Sequence, residues 1–205
     1  MNILVIDVGI SNISSLCNCL KFLGANFRIS NNKNSLEKAS HIILPGVGSF
    51  DEFLKAIIKN DLAKSLNRSI LEKKIPLLGI CVGFQVLFNK SDEGKMKGLG
   101  FINGEIKKLS LKKHNTFKVP NVGFSTLYKY KKKGIFKGLE KSDAFYFMHS
   151  YGCYLINDKF INSAYSNHNK NFIAAFQNKN ICGFQFHPEK SQTSGLKLLK
   201  NFIEI

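Results

Sequence analysis

Arginine is almost missing from this chain. Arg28 and Arg68 are the only two among 30 cationic side chains, so 28 are lysines, against 14 carboxylates and a formal charge of +16. Such a charge raises nucleic acid as a partner. Base and phosphate recognition, however, favours the forked guanidinium, and no RNA- or DNA-binding motif is present. The lysines fall mostly on helix faces and turns such as Lys131-Lys132-Lys133. A lysine-rich solvated surface, or a basic face meeting an acidic partner, accounts for them better.

Other absences narrow the class further. Five cysteines, an odd count with no C-x-x-C, exclude a disulfide framework, and without clustered histidines no metal site is expected. Cys17 and Cys19 lie two apart on a predicted helix and so point to different faces, while Cys153 and Cys182 sit in strand patterns and read as core. No apolar run approaches the length of a membrane span, and Met1 leads straight into strand residues. A cytoplasmic protein without membrane contact is the expectation. No repeat, linker or compositional break divides the 205 residues, so one domain over 1–205 is expected.

What is present begins with Leu77 to Phe88. An apolar strand-type run, Leu77, Leu78 and Ile80, meets Cys81 between Gly79 and Gly83, and a helical pattern follows. This G-x-C-x-G is the thiol form of the G-x-S-x-G nucleophile elbow. The glycines permit a sharp strand-to-helix turn, and the helix N-terminus favours a thiolate. A lone GxCxG is as often a buried cysteine with glycine neighbours. About 100 residues downstream, Phe184-Gln185-Phe186-His187-Pro188-Glu189 closes an alternating strand with an imidazole, a proline and a carboxylate. Proline cannot continue a ladder, so His187 and Glu189 belong on a rigid turn past a strand end. Alone, H-P-E is a solvated loop; paired with an elbow cysteine it reads as a Cys81-His187-Glu189 triad. A third piece, Pro45-Gly46-Val47-Gly48, follows the short strand Ile42-Ile43-Leu44. Its amides at Val47 and Gly48, with the N–H of Val82, have the makings of an oxyanion hole.

Strands are predicted over residues 2–7, 25–29, 41–44 and 77–80, alternating with helices that start at Ser11 or Asn12, at Phe50 and near Asp61. This order implies an α/β fold, a mainly parallel central sheet with helices on both faces, with ligands beyond the carboxyl ends of the strands. From Gly98 the pattern changes to short strands, 101–109, 145–149, 152–156 and 173–176, read as antiparallel additions, and a last helix follows Gly195. Segments 114–118 and 157–171 read as mobile loops.

The cysteine elbow, H-P-E and P-G-V-G, in this order, resemble the class I, triad-type glutamine amidotransferases, a flavodoxin-like fold. The further motifs GLGFINGEI, KVPNVGF, FYFMHSY and GFQFHPEKSQTSGLKLLKNF extend the likeness end to end. They are similar to the HisH-type glutaminase subunits of imidazole glycerol phosphate synthases. The resemblance implies glutamine hydrolysis without a cofactor, and a heterodimer with a cyclase subunit of the HisF barrel type that uses the ammonia in histidine synthesis. It implies substrate contacts from Gln85, one helical turn after Cys81, and from Ser150 and Tyr151. His149 is expected to be structural. Asn12 and Lys190 carry over to the partner-facing side. The family's usual D-Y-G-x-G-N opening is here Asp7-Val8-Gly9-Ile10-Ser11-Asn12. Its H-M-G-W-N is Asn121-Val122-Gly123-Phe124-Ser125, and the chain has no tryptophan. These departures fall where partner contacts are expected and keep a second acceptor open, a sugar-modifying synthetase of surface-polysaccharide assembly. A cysteine peptidase or deglycase would share the elbow without needing Gln85 or H-P-E-K in this register. A non-catalytic module is disfavoured by an intact triad.

Overall fold

The computed structural model describes residues 2–11, 13–109, 118–156 and 161–205. In chain order, β1 (Ile3–Ile6), α1 (Ile13–Phe22), β2 (Phe27–Ser30), the one-turn α2 (Lys33–Leu36), β3 (His41–Gly46) and α3 (Phe50–Lys59) come first. Next, α4 (Ala63–Asn67) runs into a π-helical turn at Arg68–Glu72, and β4 (Leu77–Cys81) leads to the one-turn α5 (Val82–Gln85). The remainder is mostly strand: β5 (Lys90–Ser91), β6 (Gly104–Lys108), β7 (Asn121–Thr126), β8 (Ala144–His149), β9 (Tyr151–Ile156), β10 (Asn162–His168), β11 (Lys170–Asn178) and β12 (Ile181–Phe184). A 3-10 turn at Pro188–Lys190 and α6 (Gln192–Ile203) close the chain.

The strands β2-β1-β3-β4-β12 lie side by side and all parallel. Ile3, Leu4, Val5 and Ile6 are all fully buried, as are Ile42, Ile43 and Leu44. Successive side chains leave a strand on opposite faces, so uniform burial means that both faces of this half are covered. β12 is where the sheet changes character. It is parallel to β4 but antiparallel to β11, and the sheet continues through β9, β6 and β5, with β10 paired to β11. β7 and β8 form a separate antiparallel ribbon.

Local chemistry sets the helices near the site. α3 starts at Ser49, whose hydroxyl accepts the Glu52 N–H, and Asp51 and Glu52 oppose the positive end of the helix. Its Phe50, Phe53, Leu54 and Ile57 form one buried stripe. Gly24, at φ 69°, ends α1 as its composition predicts. Without tryptophan, phenylalanine fills the core: the largest fully buried side chains are all Phe, including Phe84, Phe145, Phe184 and Phe186. Phe184 stacks on Phe186 at 5.1 Å between centroids, and Phe145 meets Phe186 at 4.4 Å. This cluster fixes the segment that delivers His187.

Two expectations need correction. The mobile loop expected over 157–171 is largely a strand from Asn162, hydrogen-bonded to β11 and turning at Asn169 with φ 64°. Ala164, Ser166 and His168 are its buried face, so small and polar residues hide a period-two pattern. Residues 157–160 and most of the expected loop 114–118 lie outside the described residues. The strand expected from Phe101 starts only at Gly104, where Asn89 Oδ1 takes the Gly104 N–H.

Candidate active site

Cys81 ends β4 in a backbone conformation that non-glycine residues seldom take, φ 55° and ψ −107°. Such a residue stores about 1–3 kcal/mol of strain, which the packing around it must hold. The flanking glycines serve differently from the expectation. Neither Gly79 nor Gly83 has positive φ; they make room. A Cβ on Gly79 would stand 2.5 Å from the Gly83 carbonyl oxygen, and one on Gly83 would stand 1.8 Å from that of Leu44. The close approach of α5 to β3 forces Cys81 itself to make the turn.

His187 follows β12 and is fixed by its backbone. Its N–H donates to the Tyr146 carbonyl at 2.9 Å, and its carbonyl accepts from Ser191 Oγ at 2.6 Å. Ser191 Oγ also accepts the Tyr146 N–H at 2.9 Å, closing a ring around the histidine. Pro188 starts the 3-10 turn that brings Glu189 back, and His187 Nδ1 meets Glu189 Oε1 at 2.8 Å with side chains 3% and 6% exposed. Nδ1 therefore carries a proton, and Nε2 is the atom free to exchange one. Nε2 has no hydrogen bond of ordinary geometry, a looseness common before substrate binds. Burial disfavours the imidazolium, but the Cys81 sulfur and the Glu189 carboxylate outweigh it and hold His187 well above the ordinary histidine value.

Cys81 and His187 share one cavity of about 190 Å³ with Val47, Gly48, Val82, Gln85, Ser150 and Tyr151. The sequence-predicted triad, oxyanion and substrate residues thus lie together, Glu189 standing behind His187. Gln85 is buried, with Nε2 donating to the Tyr151 carbonyl at 3.0 Å and to Gln185 Oε1 at 3.1 Å. Both its N–H bonds are committed, so Gln85 offers the cavity an acceptor rather than a donor. The same Tyr151 carbonyl lies 2.7 Å from His149 Nδ1, while His149 Nε2 is 3.1 Å from Asn121 Nδ2. Burial pushes His149 down to about 4, so it is a neutral structural strut.

Of the oxyanion candidates, Val82 is the first residue of α5, where an N–H has no acceptor within the helix. Val47 differs. Its N–H donates to the Ile10 carbonyl at 3.2 Å. β3 lies between β1 and β4, so a bond to the loop after β1 directs this amide away from Cys81. Ser11 Oγ donates to the Pro45 carbonyl at 2.7 Å and ties the same two loops together. Lys190 is exposed beside the triad with Nζ 5.6 Å from the centre of the Tyr146 ring, and Tyr146 in turn meets Phe124 edge-on at 5.4 Å. Asn12 lies outside the described residues.

The sequence did not single out Glu93, Ser191 or Gln185, and it marked Asn121 as a departure on the partner side rather than as the partner of His149. Glu93 lines the cavity with Cys81 and accepts the Phe50 N–H at 3.0 Å. Burial pushes its carboxyl up, only partly offset by that bond. An acid before a glycine in S-D-E-G carries no signal of its own. Ser191, directly after H-P-E-K, was the better clue. Among the described residues no group of three or more His, Cys, Asp and Glu side chains could hold a metal ion.

Residues 4–205 match the family described as glutamine amidotransferase class-I. The chain is 37% identical over 203 residues to the imidazole glycerol phosphate synthase subunit HisH of Leptospira borgpetersenii, covering 98% of both chains. It is 40% identical over 203 residues, again 98% of both, to the imidazole glycerol phosphate synthase subunit HisH 2 of Methanococcus maripaludis. The solved structure of a glutamine amidotransferase from Thermotoga maritima superposes with a TM-score of 0.67 at 17% identity. The match covers 100% of this chain and 96% of that one, and shows the fold alone. By sequence along its length and by fold, the chain belongs to the class I glutamine amidotransferases, among the HisH subunits of imidazole glycerol phosphate synthase.

Proposed function

We propose that this chain, as one amidotransferase domain, hydrolyses L-glutamine to glutamate and ammonia with Cys81 as nucleophile. The observation that carries the reading is the strained Cys81 sharing a cavity with His187, whose Nδ1 is held by a buried Glu189. His187 takes the thiol proton at Nε2, and the sulfur attacks the side-chain amide carbon. Negative charge develops on the amide oxygen, where the Val82 N–H and an amide of the Val47-Gly48 loop stabilise it. The C–N bond then breaks, His187 returns its proton to the leaving nitrogen, and ammonia departs. Water, deprotonated by His187, attacks the thioester, and glutamate leaves as the sulfur regains its proton. Glu189 orients the ring and stabilises its charged form.

The remaining cavity residues suit the amino-acid end of glutamine. Glu93 and the Gln85 oxygen present acceptors to an α-ammonium group, and Ser150 and Tyr151 line the wall where the α-carboxylate would lie. Ammonia release assayed with L-glutamine and L-asparagine tests the assignment. Turnover of glutamine alone is the expected result, and a peptidase reading requires cleavage of peptides instead.

The ammonia passes to a partner cyclase of the HisF barrel type, in a cytoplasmic heterodimer forming imidazole glycerol phosphate and an aminoimidazole carboxamide ribonucleotide. Exposed Val122, Phe124 and Met148 on the β7–β8 ribbon are continuous with Tyr146 and Lys190, and Met148 also lines the cavity, an apolar face with a basic edge suited to such a partner. Supply to a sugar-modifying synthetase is the second reading, favoured by the departures at Val8, Ser11, Asn121, Phe124 and Ser125. Identification of the protein that co-purifies with the chain from its native cell separates the two.

A further inference from the structure

The Asp51 carboxylate, in the first turn of α3, accepts two backbone N–H groups at once. Its Oδ2 takes that of Lys95 at 2.9 Å and its Oδ1 that of Met96 at 3.0 Å. The bond is returned from the other side, because Glu93 Oε2 accepts the N–H of Phe50, the residue before Asp51, at 3.0 Å. Each segment thus uses a carboxylate to hold the other's backbone. The two run so close that a Cβ on Gly94 would stand 2.0 Å from Asp51 Oδ1. The two N–H groups hold the Asp51 carboxyl below the usual carboxylate range, as a firmly ionised acceptor. Of the Glu93 oxygens, Oε2 is committed to Phe50, which leaves Oε1 for the cavity.

We propose that Asp51 is a positioning residue for substrate selection: its two-oxygen hold on Lys95 and Met96 fixes residues 93–96, beyond the end of β5, so that Glu93 meets the α-ammonium group of glutamine. The inference rests on the assignment of Glu93 to that group. Without Asp51, Glu93 would keep its backbone bond to Ser91 Oγ at 3.1 Å and its carboxylate bond to Phe50, but the stretch after it would be released, and its carboxylate could swing off the ammonium while Cys81, His187 and Glu189, on other elements, stay in place. The expected effect is therefore on recognition of one substrate group and not on chemistry.

The test compares L-glutamine with glutaric acid monoamide, which keeps the amide and the carboxylate and lacks the α-ammonium. Ammonia release is measured in the assembled enzyme for the unaltered chain, Asp51→Ala, Asp51→Asn, Gly94→Ala and Glu93→Gln. Asp51→Ala should raise KM for glutamine about ten-fold with kcat held within about two-fold, leaving kcat/KM for the monoamide unchanged. Asp51→Asn, nearly isosteric and keeping one acceptor oxygen, should fall between. Gly94→Ala, which drives the Asp51 carboxylate away, should reproduce the Asp51→Ala signature. If Glu93→Gln erases the preference for glutamine while Asp51→Ala and Asp51→Asn leave it intact or depress both substrates alike, Asp51 is a helix cap only and the inference fails. If Glu93→Gln itself leaves the preference intact, the assignment of Glu93 fails, and the inference with it.

Discussion

The Val47 N–H donates to the carbonyl oxygen of Ile10, on the β1 side of β3, and so turns its back on Cys81. An oxyanion hole built with this amide is incomplete until the Gly46-Val47-Gly48 backbone turns. Gly48, at φ 87°, provides freedom at one end of that segment. Removing one oxyanion donor costs on the order of 10²–10³ in turnover. Glutamine turnover by the chain alone should therefore fall below that of the complex with liganded partner by a factor of this order. Equal rates would eliminate the switch.

Ser11 bears on the same switch. Its hydroxyl bond to Pro45 at 2.7 Å latches the loop in its present position. A net hydrogen bond is worth about 1 kcal/mol, or about five-fold in an equilibrium. Ser11→Ala should raise the partner-free rate by up to about that factor and leave the rate of the complex unchanged. A fall in both rates would show that the bond supports the active loop instead.

The five cysteines should differ sharply in reactivity. Burial pushes Cys153 up to about 12 and Cys182 further still. Cys17 is raised by burial, and Cys19 by burial and the nearby Glu189 charge. A glutamine-mimicking chloroketone should modify Cys81 alone, as read by peptide mass mapping, and prior Cys81→Ser should abolish labelling. In the complex, Cys81→Ala should remove glutamine-dependent activity and spare activity with added ammonium salt. Uniform labelling of the cysteines, or glutamine turnover by Cys81→Ala, would overturn the assignment of the nucleophile.

The legible parts of the fold were those whose residues declare themselves locally. Uniformly apolar Ile3–Ile6, Ile42–Leu44 and Leu77–Ile80 can only be strands covered on both faces, and G-x-C-x-G and H-P-E mark the junctions they feed. β10 stayed hidden because its buried face is Ala164, Ser166 and His168, residues that read as loop until β11 pairs with them. β7 stayed hidden because Asn121 and Gly123 interrupt it, although Asn121 is a partner of the buried His149. Glu93 meets Phe50, and Ser191 ties the nearby His187 carbonyl to the Tyr146 N–H; both Phe50 and Tyr146 are remote in sequence, and no local pattern encodes them. The departure at Ser11 looked like a lost glycine; folded, it is a hydroxyl with a definite acceptor.

His149 should give the protein an acid-sensitive limb. Its folded value is depressed from 6.5 to about 4 by burial, so between those values the unfolded chain binds a proton that the native chain refuses. Stability therefore falls as pH drops from 6.5 toward 4, by about 3 kcal/mol in full. A non-titrating His149→Gln should flatten this limb. The check is denaturant unfolding of both proteins at pH 7 and pH 4.5, and identical losses of stability on acidification would rule out His149 as the source.

Gly83 offers the sharpest test of why the elbow has its shape. A Cβ there meets the Leu44 carbonyl oxygen at 1.8 Å, and that oxygen belongs to the backbone of β3, which cannot swing aside like a side chain. Gly83→Ala must push α5 or the end of β3, and both carry parts of the site: Val82 and Gln85 on one, the Val47-Gly48 loop beyond the other. Displacement of reacting groups by about 1 Å costs about 10² in rate, so at least that loss is expected. Gly138→Ala is the matched control. It sits at φ 71° with nothing within 4 Å of a Cβ, so it should cost about 1–2 kcal/mol in backbone strain and leave turnover untouched. Thermal unfolding and ammonia release on both variants give the comparison. If Gly83→Ala lost no more turnover than Gly138→Ala, the close contact between elbow and β3 would not be what holds Cys81 in place.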